Sequence, residues 1–282
     1  MPLCALLALD IDGTLINSQK ILTTNTIEAL LALQERGLRL ALISGRRNKA
    51  MIKIAEQLKI NTPLIAYNGG LIFDPKDYHI IEERSIIPEA YEKIVQIWWD
   101  AGLTGCFYNS SFTGYEYSFF GNDDFYLERP DIQEMFQKNL VKRLKHPSEL
   151  DYNPLRLMVG GRRETTEHAL ELVREEIAKH NLWSMHSRDY DGYWFLEICS
   201  GLCDKGDGLK RLCEILNIPL NQTIAVGDQI NDINMIRYAG LGIAMQNAVP
   251  ELKAVADLCI GNHDLDGLAE FAKELLAANL FF

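Results

Sequence analysis

Residues 7–14 read Leu7-Ala8-Leu9-Asp10-Ile11-Asp12-Gly13-Thr14, where an apolar run that begins at Leu3 passes without a break into two carboxylates one residue apart. A run without polar alternation is the mark of a strand buried on both faces, as in a parallel sheet covered by helices. Ligands of such sheets bind beyond the carboxyl ends of the strands, which is where Asp10 and Asp12 fall. Side chains i and i+2 of an extended chain point to the same side, so the two carboxylates share one space. An isolated D-x-D is an ordinary solvated loop, but here the event recurs. The run over 38–43 ends in Ser44-Gly45-Arg46, and the run over 223–227 ends in Asp228-Gln229-Ile230-Asn231-Asp232.

The surrounding chain fits that frame. Residues 24–36 predict a helix, with Thr24 and Asn25 as capping candidates, Glu28 after them and Gly37 as the stop. Residues 38–44 and 64–70 predict two more strands with a helix between them, and Asp74-Pro75-Lys76-Asp77 predicts a hairpin. From about residue 84 the texture changes. A helix starts near Pro88, and nine aromatics follow between 107 and 126: Phe107, Tyr108, Phe112, Tyr115, Tyr117, Phe119, Phe120, Phe125 and Tyr126. A helix over 131–139 and short strands around a long helix over 164–180 complete the pattern of an antiparallel α+β unit. Strand–helix alternation then resumes, with helices over 205–216, 231–239 and 250–256. The expected fold is α/β, a doubly wound and mostly parallel sheet built from residues 1–83 and 198–282, with an inserted α+β domain over 84–197. The G-x-G-x-x-G fingerprint of dinucleotide-binding sheets is missing, because the first strand is followed by DGTLIN.

At 282 residues the chain can bury one large core or two modest ones, and 48% hydrophobic against 24% charged residues places it among folded globular proteins. A net charge of −11 repels a phosphate backbone over most of the surface, so no nucleic acid partner is expected, while a local basic pocket for a small anion is compatible with it. No apolar window reaches the ~18 residues of a membrane helix. The N-terminus lacks the basic start and the length of a signal sequence, so a cytoplasmic protein without a membrane partner is expected. Cys4, Cys106, Cys199, Cys203, Cys213 and Cys259 are then free thiols, and the C-x3-C spacing of Cys199 and Cys203 has no second pair or nearby His to complete a zinc site.

Aspartates converging on one sheet edge repel each other unless a hard cation lies among them, and Mg2+ suits an all-oxygen donor set. Such a site keeps room for a substrate phosphate, whose remaining charge a lysine balances. Lys205, in DKGDGLKRL, stands at the expected start of a helix, where backbone N–H groups also favour an anion.

With DIDGT over 10–14, Ser44 in ISGR, Lys205 in DKG and GDQIND over 227–232 in that order, the chain resembles the haloacid dehalogenase-like hydrolases. The likeness is specifically to the Cof-type phosphatases, which carry a large cap between their second and third motifs, and YNGG over 67–70 is also typical of that branch. It covers the whole chain. The resemblance implies that Asp10 attacks phosphorus to form an aspartyl-phosphate and that Asp12 serves as acid and then as base. It implies that Mg2+ is held by the Asp10 carboxylate, the Asp12 backbone carbonyl and the Asp228 carboxylate. Ser44 and the N–H groups of Ile11 and Gly45 would bind the phosphoryl oxygens, Lys205 would balance their charge and Asn231 would position the group. Asp232 would brace Lys205 or a metal-bound water. Gln229 departs from the family pattern, in which a small residue is frequent there, and the departure puts nothing catalytic in doubt.

The implied activity is Mg2+-dependent hydrolysis of small phosphorylated metabolites, with sugar phosphates, flavin mononucleotide and pyridoxal phosphate all compatible. A phosphosugar mutase or a dedicated sugar-phosphate phosphatase of the same superfamily stays open. The alternative of another class is a non-enzymatic receiver-like module phosphorylated on Asp10, although a receiver needs neither a second acid at i+2 nor a lid. The cap implied by the resemblance would read the leaving group. Arg46, Asn68 and Arg188 are polar candidates facing the cleft, whereas the aromatics of 107–126 are expected to pack the small sheet of the insert. Trp98 and Trp99, adjacent on one helix, cannot both face a core. None of these features fixes an oligomeric state.

Overall fold

The apolar run before Asp10 forms a strand, Leu6–Leu9, in which all four residues are buried. The computed structural model describes residues 4–112, 115–121, 134, 137, 140–188 and 192–278. The helix expected over 131–139, apart from Glu134 and Gln137, and the aromatics Phe125 and Tyr126 lie outside the described residues. The chain divides into two compact units, Met1–Glu82 with Asp204–Phe282 and Glu83–Cys203.

In chain order, the first unit opens with β1 (Leu6–Leu9), α1 (Thr24–Glu35), β2 (Arg39–Leu42), α2 (Asn48–Gln57), β3 (Leu64–Ala66), β4 (Leu71–Phe73) and β5 (Ile80–Glu83), which runs one residue past the division. Thr23 caps α1, its hydroxyl accepting from the Thr26 N–H at 3.2 Å, so neither Thr24 nor Asn25 is the cap. The expected strand over 64–70 stops at Ala66, because Tyr67, Asn68 and Gly69 take φ of 51°, 55° and 97° and turn the backbone into the left-handed region. The hairpin forms where expected, with the Asp74 carboxylate accepting from the Lys76 N–H at 2.8 Å and the Asp74 N–H donating to the His79 carbonyl at 2.9 Å.

The second unit holds α3 (Pro88–Asp100), β6 (Gly105–Tyr108), β7 (Tyr117–Phe120), β8 (Val141–Arg143), β9 (Arg156–Gly161), α4 (Arg163–Lys179), β10 (Leu182–Arg188) and β11 (Trp194–Ser200). Its sheet runs β10-β11-β9-β6-β7-β8, antiparallel except for the β7–β8 pair. The division expected after residue 197 would cut β11, which goes on pairing through Cys199↔Arg156 and Ser200↔Leu182. Trp98 is fully buried among Ile94, Phe107, Phe120 and Leu196 and donates to the Ala169 carbonyl at 3.0 Å, while Trp99 is half-buried and meets Phe120 edge-on. Tyr117 and Phe119 join Cys106, Val141 and Met158 in a smaller cluster, so these aromatics build the unit's core.

The first unit resumes with α5 (Lys205–Leu216), β12 (Thr223–Gly227), α6 (Ile233–Tyr238), β13 (Leu241–Met245), α7 (Pro250–Lys253), β14 (Leu258–Ile260) and α8 (Gly267–Ala278). The helices expected over 231–239 and 250–256 are shorter than their apolar pattern suggests. All five strands of its main sheet are parallel, in the order β14-β13-β12-β1-β2. β3 continues beyond β2 through a parallel bridge between Ile43 and Ile65, and pairs with β4 in a three-stranded sheet that β5 completes. The chain leaves β1 toward β2 and returns on the other side at β12, so the winding reverses between β1 and β12 and opens a crevice at their carboxyl ends. Leu6, Ala8, Ala41, Ile65, Leu209 and Ala225 pack the core beneath it. Each large side chain there contributes roughly 1.5–3 kcal/mol. Of the six cysteines five are buried, and Cys259 on the edge strand β14 is exposed. Among the described residues no helix is long and apolar enough to cross a membrane.

Candidate active site

Asp10 follows β1 directly, and its N–H donates to the Val226 carbonyl of β12 at 3.1 Å, which ties the two strand ends together. The chain then turns at Gly13 with φ of 80°, where an added Cβ would stand 2.3 Å from the Asp228 carboxylate, so the turn needs glycine for both its conformation and its space. Thr14 donates its hydroxyl to Asp228 Oδ1 at 3.1 Å. Beyond β12, Asp232 folds back: its Oδ2 accepts from the N–H groups of Asp228 and Gln229, each at 3.0 Å. Lys205 is the first residue of α5, whose cap is Asp204, accepting from the Asp207 N–H at 3.0 Å. Its Nζ donates to Asp10 Oδ1 and to Asp232 Oδ1, both at 2.6 Å.

Asp10, Asp228, Asp232 and Lys205 are all buried. Burial pushes the Asp10 carboxyl well above its ordinary range; Lys205 pulls against the shift, and Asp232 and Asp228 add to it. Asp228 is raised by burial and by Asp232, against hydrogen bonds from Gln229 and Thr14. Burial works against the Lys205 ammonium, but Asp10 and Asp232 outweigh it and hold the group above its usual value. Three carboxylates thus face one ammonium.

Each of the three aspartates offers an oxygen within 4.8 Å of the others, an all-oxygen set with excess negative charge that fits a hard divalent cation. Their hydrogen bonds distinguish them. Asp232 spends both oxygens on Lys205 and on two N–H groups, whereas Asp10 Oδ2 accepts no hydrogen bond among the described residues and each Asp228 oxygen keeps a lone pair. Asp228, and Asp10 through the second lone pair of Oδ1, could therefore hold the metal, which leaves Asp10 Oδ2 open, with Asp232 holding Lys205.

The Asp12 carboxylate is engaged elsewhere. Arg46 grips it through Nε at 2.6 Å and a second guanidinium nitrogen at 2.8 Å, and Lys20 Nζ lies at 2.8 Å. Partial burial opposes the effect, but these two cations bring the Asp12 pKa down to about 2. In this arrangement Asp12 has the charge of a base; to act as an acid it must part from Arg46 and Lys20.

Ser44 is buried after β2, its Oγ accepting from the Arg46 N–H at 3.2 Å, with Gly45 between them. Ile11 is fully buried, and its carbonyl accepts from the N–H groups of Leu15 and Ile16, each at 3.0 Å. Asn231 donates Nδ2 to Asn68 Oδ1 at 2.9 Å. Of the three polar candidates, Arg46 meets Asp12 and Asn68 meets Asn231, while Arg188 belongs to β10 of the other unit and its side chain lies outside the described residues. Four contributors carried no signal of their own. Thr14 and Gln229 touch Asp228, the Gln229 amide donating to Oδ2 at 3.0 Å. Lys20 reaches Asp12, and Asn247 donates to the Gly13 carbonyl at 2.8 Å. The first two sit inside the acidic motifs and were findable there; the last two depend on how loops return.

The family model of the haloacid dehalogenase-like hydrolases matches residues 7–271. The chain is 25% identical to the 5-amino-6-(5-phospho-D-ribitylamino)uracil phosphatase YitU of Bacillus subtilis, over 95% of this chain and 96% of that protein. It is 26% identical to the pyridoxal phosphate phosphatase YbhA of Escherichia coli, over 94% and 96% respectively. The crystal structure of a haloacid dehalogenase-like hydrolase from Bacteroides thetaiotaomicron superposes with a TM-score of 0.79 at 26% identity, covering 96% of this chain and 99% of that one. With a match spanning nearly every element of the first unit and all of the second, this chain belongs to the haloacid dehalogenase-like hydrolase family.

Proposed function

We propose that the chain is a cytoplasmic, Mg2+-dependent phosphatase that hydrolyses small phosphorylated metabolites through an aspartyl-phosphate. The observation that carries this reading is the buried set at the crevice: Asp10 with one oxygen on Lys205 and the other unbonded among the described residues, beside Asp228. A carboxylate so held presents a single oxygen to an electrophile.

In the proposed reaction Asp10 Oδ2 forms a bond to phosphorus while the bond to the leaving oxygen breaks, and Asp12, parted from Arg46 and Lys20 and carrying a proton, delivers that proton to the leaving oxygen. Asp12 then takes a proton from the water that attacks the aspartyl-phosphate, which returns the Asp10 carboxylate and inorganic phosphate. Lys205, Ser44, Asn231 and the N–H groups of Ile11 and Gly45 hold the phosphoryl oxygens, the positioning on which phosphoryl transfer mostly depends. Mg2+, when bound by Asp10, Asp228 and the Asp12 carbonyl, supplies charge stabilisation to those oxygens.

YitU and YbhA carry the names of two different phosphorylated substrates at nearly equal identity to this chain, which supports a substrate class rather than one compound. Choice among substrates is assigned to the second unit. The test is a panel of phosphorylated metabolites with Mg2+, scored by kcat/KM, with Asp10→Asn as control. Phosphate release by the native chain and neither turnover nor phosphoenzyme in the variant is expected; turnover by Asp10→Asn overturns the nucleophile assignment. Phosphate transfer without net release, dependent on an added bisphosphate, would make the chain a mutase, and phosphorylation of Asp10 without turnover would make it a receiver.

A further inference from the structure

We propose that Asn68 is a positioning residue of the phosphoryl site, its amide fixing Asn231 in the one orientation that serves the phosphoryl group; this inference rests on the phosphatase reading above.

The argument begins with the backbone. Tyr67, Asn68 and Gly69 are three consecutive residues with positive φ, two of them bearing a Cβ and one an aromatic side chain. L-residues resist that conformation, and a run of them persists only where the surroundings dictate it. Here they do so from two sides. The Tyr67 N–H donates to the Arg46 carbonyl at 3.1 Å and the Asn68 N–H to the Ser44 carbonyl at 3.0 Å, so the turn is fastened to the loop after β2. On the other side, a Cβ on Gly69 would stand 2.3 Å from the carbonyl oxygen of Asp204, the cap of α5. The turn is therefore wedged between the Ser44 loop and the start of the helix that carries Lys205.

What the strained turn delivers is the Asn68 side chain, which is buried. Its Oδ1 accepts from Asn231 Nδ2 at 2.9 Å. Reversing the Asn231 amide would set two carbonyl oxygens against each other, so Asn68 decides which way Asn231 faces. With one N–H committed to Asn68, Asn231 retains its second N–H for a phosphoryl oxygen. Its Oδ1 is buried with no partner among the described residues. Asn68 acts through Asn231 and need not touch the substrate.

The experiment is a double-mutant cycle on Asn68 and Asn231, read by kcat, KM and the inhibition constant of orthovanadate, with p-nitrophenyl phosphate and saturating Mg2+. Asn68→Gly is the first variant, because glycine takes the left-handed conformation without steric penalty while the side chain that carries the amide is removed. Asn68→Gly is expected to keep the Tm, to lower kcat/KM about tenfold and to weaken vanadate inhibition by a similar factor, the scale of one misdirected hydrogen bond. The pair Asn68→Gly with Asn231→Ala should be no worse than Asn231→Ala alone. Asn68→Ala, which adds backbone strain, is the second variant and must show the same coupling despite a lower Tm. Losses that multiply in the double variant, or a native kcat/KM in Asn68→Gly, overturn the proposal while leaving the phosphatase intact. A native chain that releases no phosphate from any panel member overturns the phosphatase reading and this inference with it.

Discussion

Replacing Asp10 by Asn is expected to make the metal-free protein more stable while abolishing its turnover. The carboxylate oxygens of Asp10, Asp228 and Asp232 lie within 4.8 Å of one another and Lys205 Nζ lies 2.6 Å from Asp10. At an effective dielectric of about 20, a like charge at that spacing repels by roughly 3–4 kcal/mol and the ammonium attracts by roughly 6 kcal/mol. The two repulsions and the one attraction nearly cancel. The loss of hydration on burying Asp10 then remains uncompensated, which agrees with the upward direction of its pKa. An Asn at this position sheds that cost, its amide oxygen can still accept from Lys205, and Lys205 keeps Asp232 as its counter-ion. The expected gain is about 1–3 kcal/mol near pH 8, or several degrees in Tm.

The pH dependence gives the sign. A carboxyl whose folded pKa is raised keeps its proton in the folded chain where the unfolded chain has lost it, so the native state binds more protons and stability falls as pH rises above about 4. The native and Asp10→Asn proteins should therefore melt together near pH 4 and diverge toward pH 8, with the variant higher. Mg2+ should raise the Tm of the native protein, most at pH 8, and leave the variant nearly unchanged. Scanning calorimetry over pH 4–8 with EDTA or Mg2+ checks all three; a less stable Asp10→Asn at pH 8 in EDTA would refute the account of the crevice as a stability cost.

Three further outcomes are expected. Lys205→Met leaves Asp10 and Asp232 buried without a cation, which should destabilise the chain by about 3–5 kcal/mol and remove turnover; denaturant unfolding measures the first, and a loss under 1 kcal/mol counts against the ion pairs. Arg46→Ala lets the Asp12 pKa return from about 2 toward 3.8. The stability that Asp12 contributes is present above pH ~4 and lost as pH falls toward 2, so the variant should lose less stability between pH 5 and pH 2.5, by under ~1 kcal/mol because the pair is partly solvated. Gln229→Ala removes a hydrogen bond to Asp228 Oδ2 and should change the half-saturating Mg2+ concentration about two- to threefold with kcat at saturation intact, as read by Mg2+ titration of activity; an unaltered midpoint would assign that amide no role.

The strand-end carboxylates were legible because each follows an apolar run too uniform to be anything but a covered parallel strand, and Lys205 because it opens a helix and falls in order between the other motifs. The left-handed turn was signalled by Asn68-Gly69 but overlooked because Leu64 to Tyr67 carries an unbroken apolar pattern; its start at Tyr67 has no local signal and is held by contacts to Ser44, Arg46 and Asp204 from elsewhere in the chain. The engagement of Asp12 by Lys20 and Arg46 was likewise hidden, because it depends on the path of two loops rather than on any periodicity. The division expected after residue 197 falls inside β11 for a similar reason, as the last residues of that strand are held by pairing partners rather than marked by a breaker.

The place of β1 in the sheet bears on how the chain is made. One of its edges is matched by β2 within the first 42 residues, but the other waits for β12, which begins at Thr223. During synthesis most of the polypeptide leaves the ribosome before Leu6–Leu9 finds its second neighbour, and over that interval an apolar strand carries an open row of N–H and C=O groups able to join strangers. The late arrival that shields this edge is also the one that brings Asp228, so chemical competence and safety from self-association come in a single step.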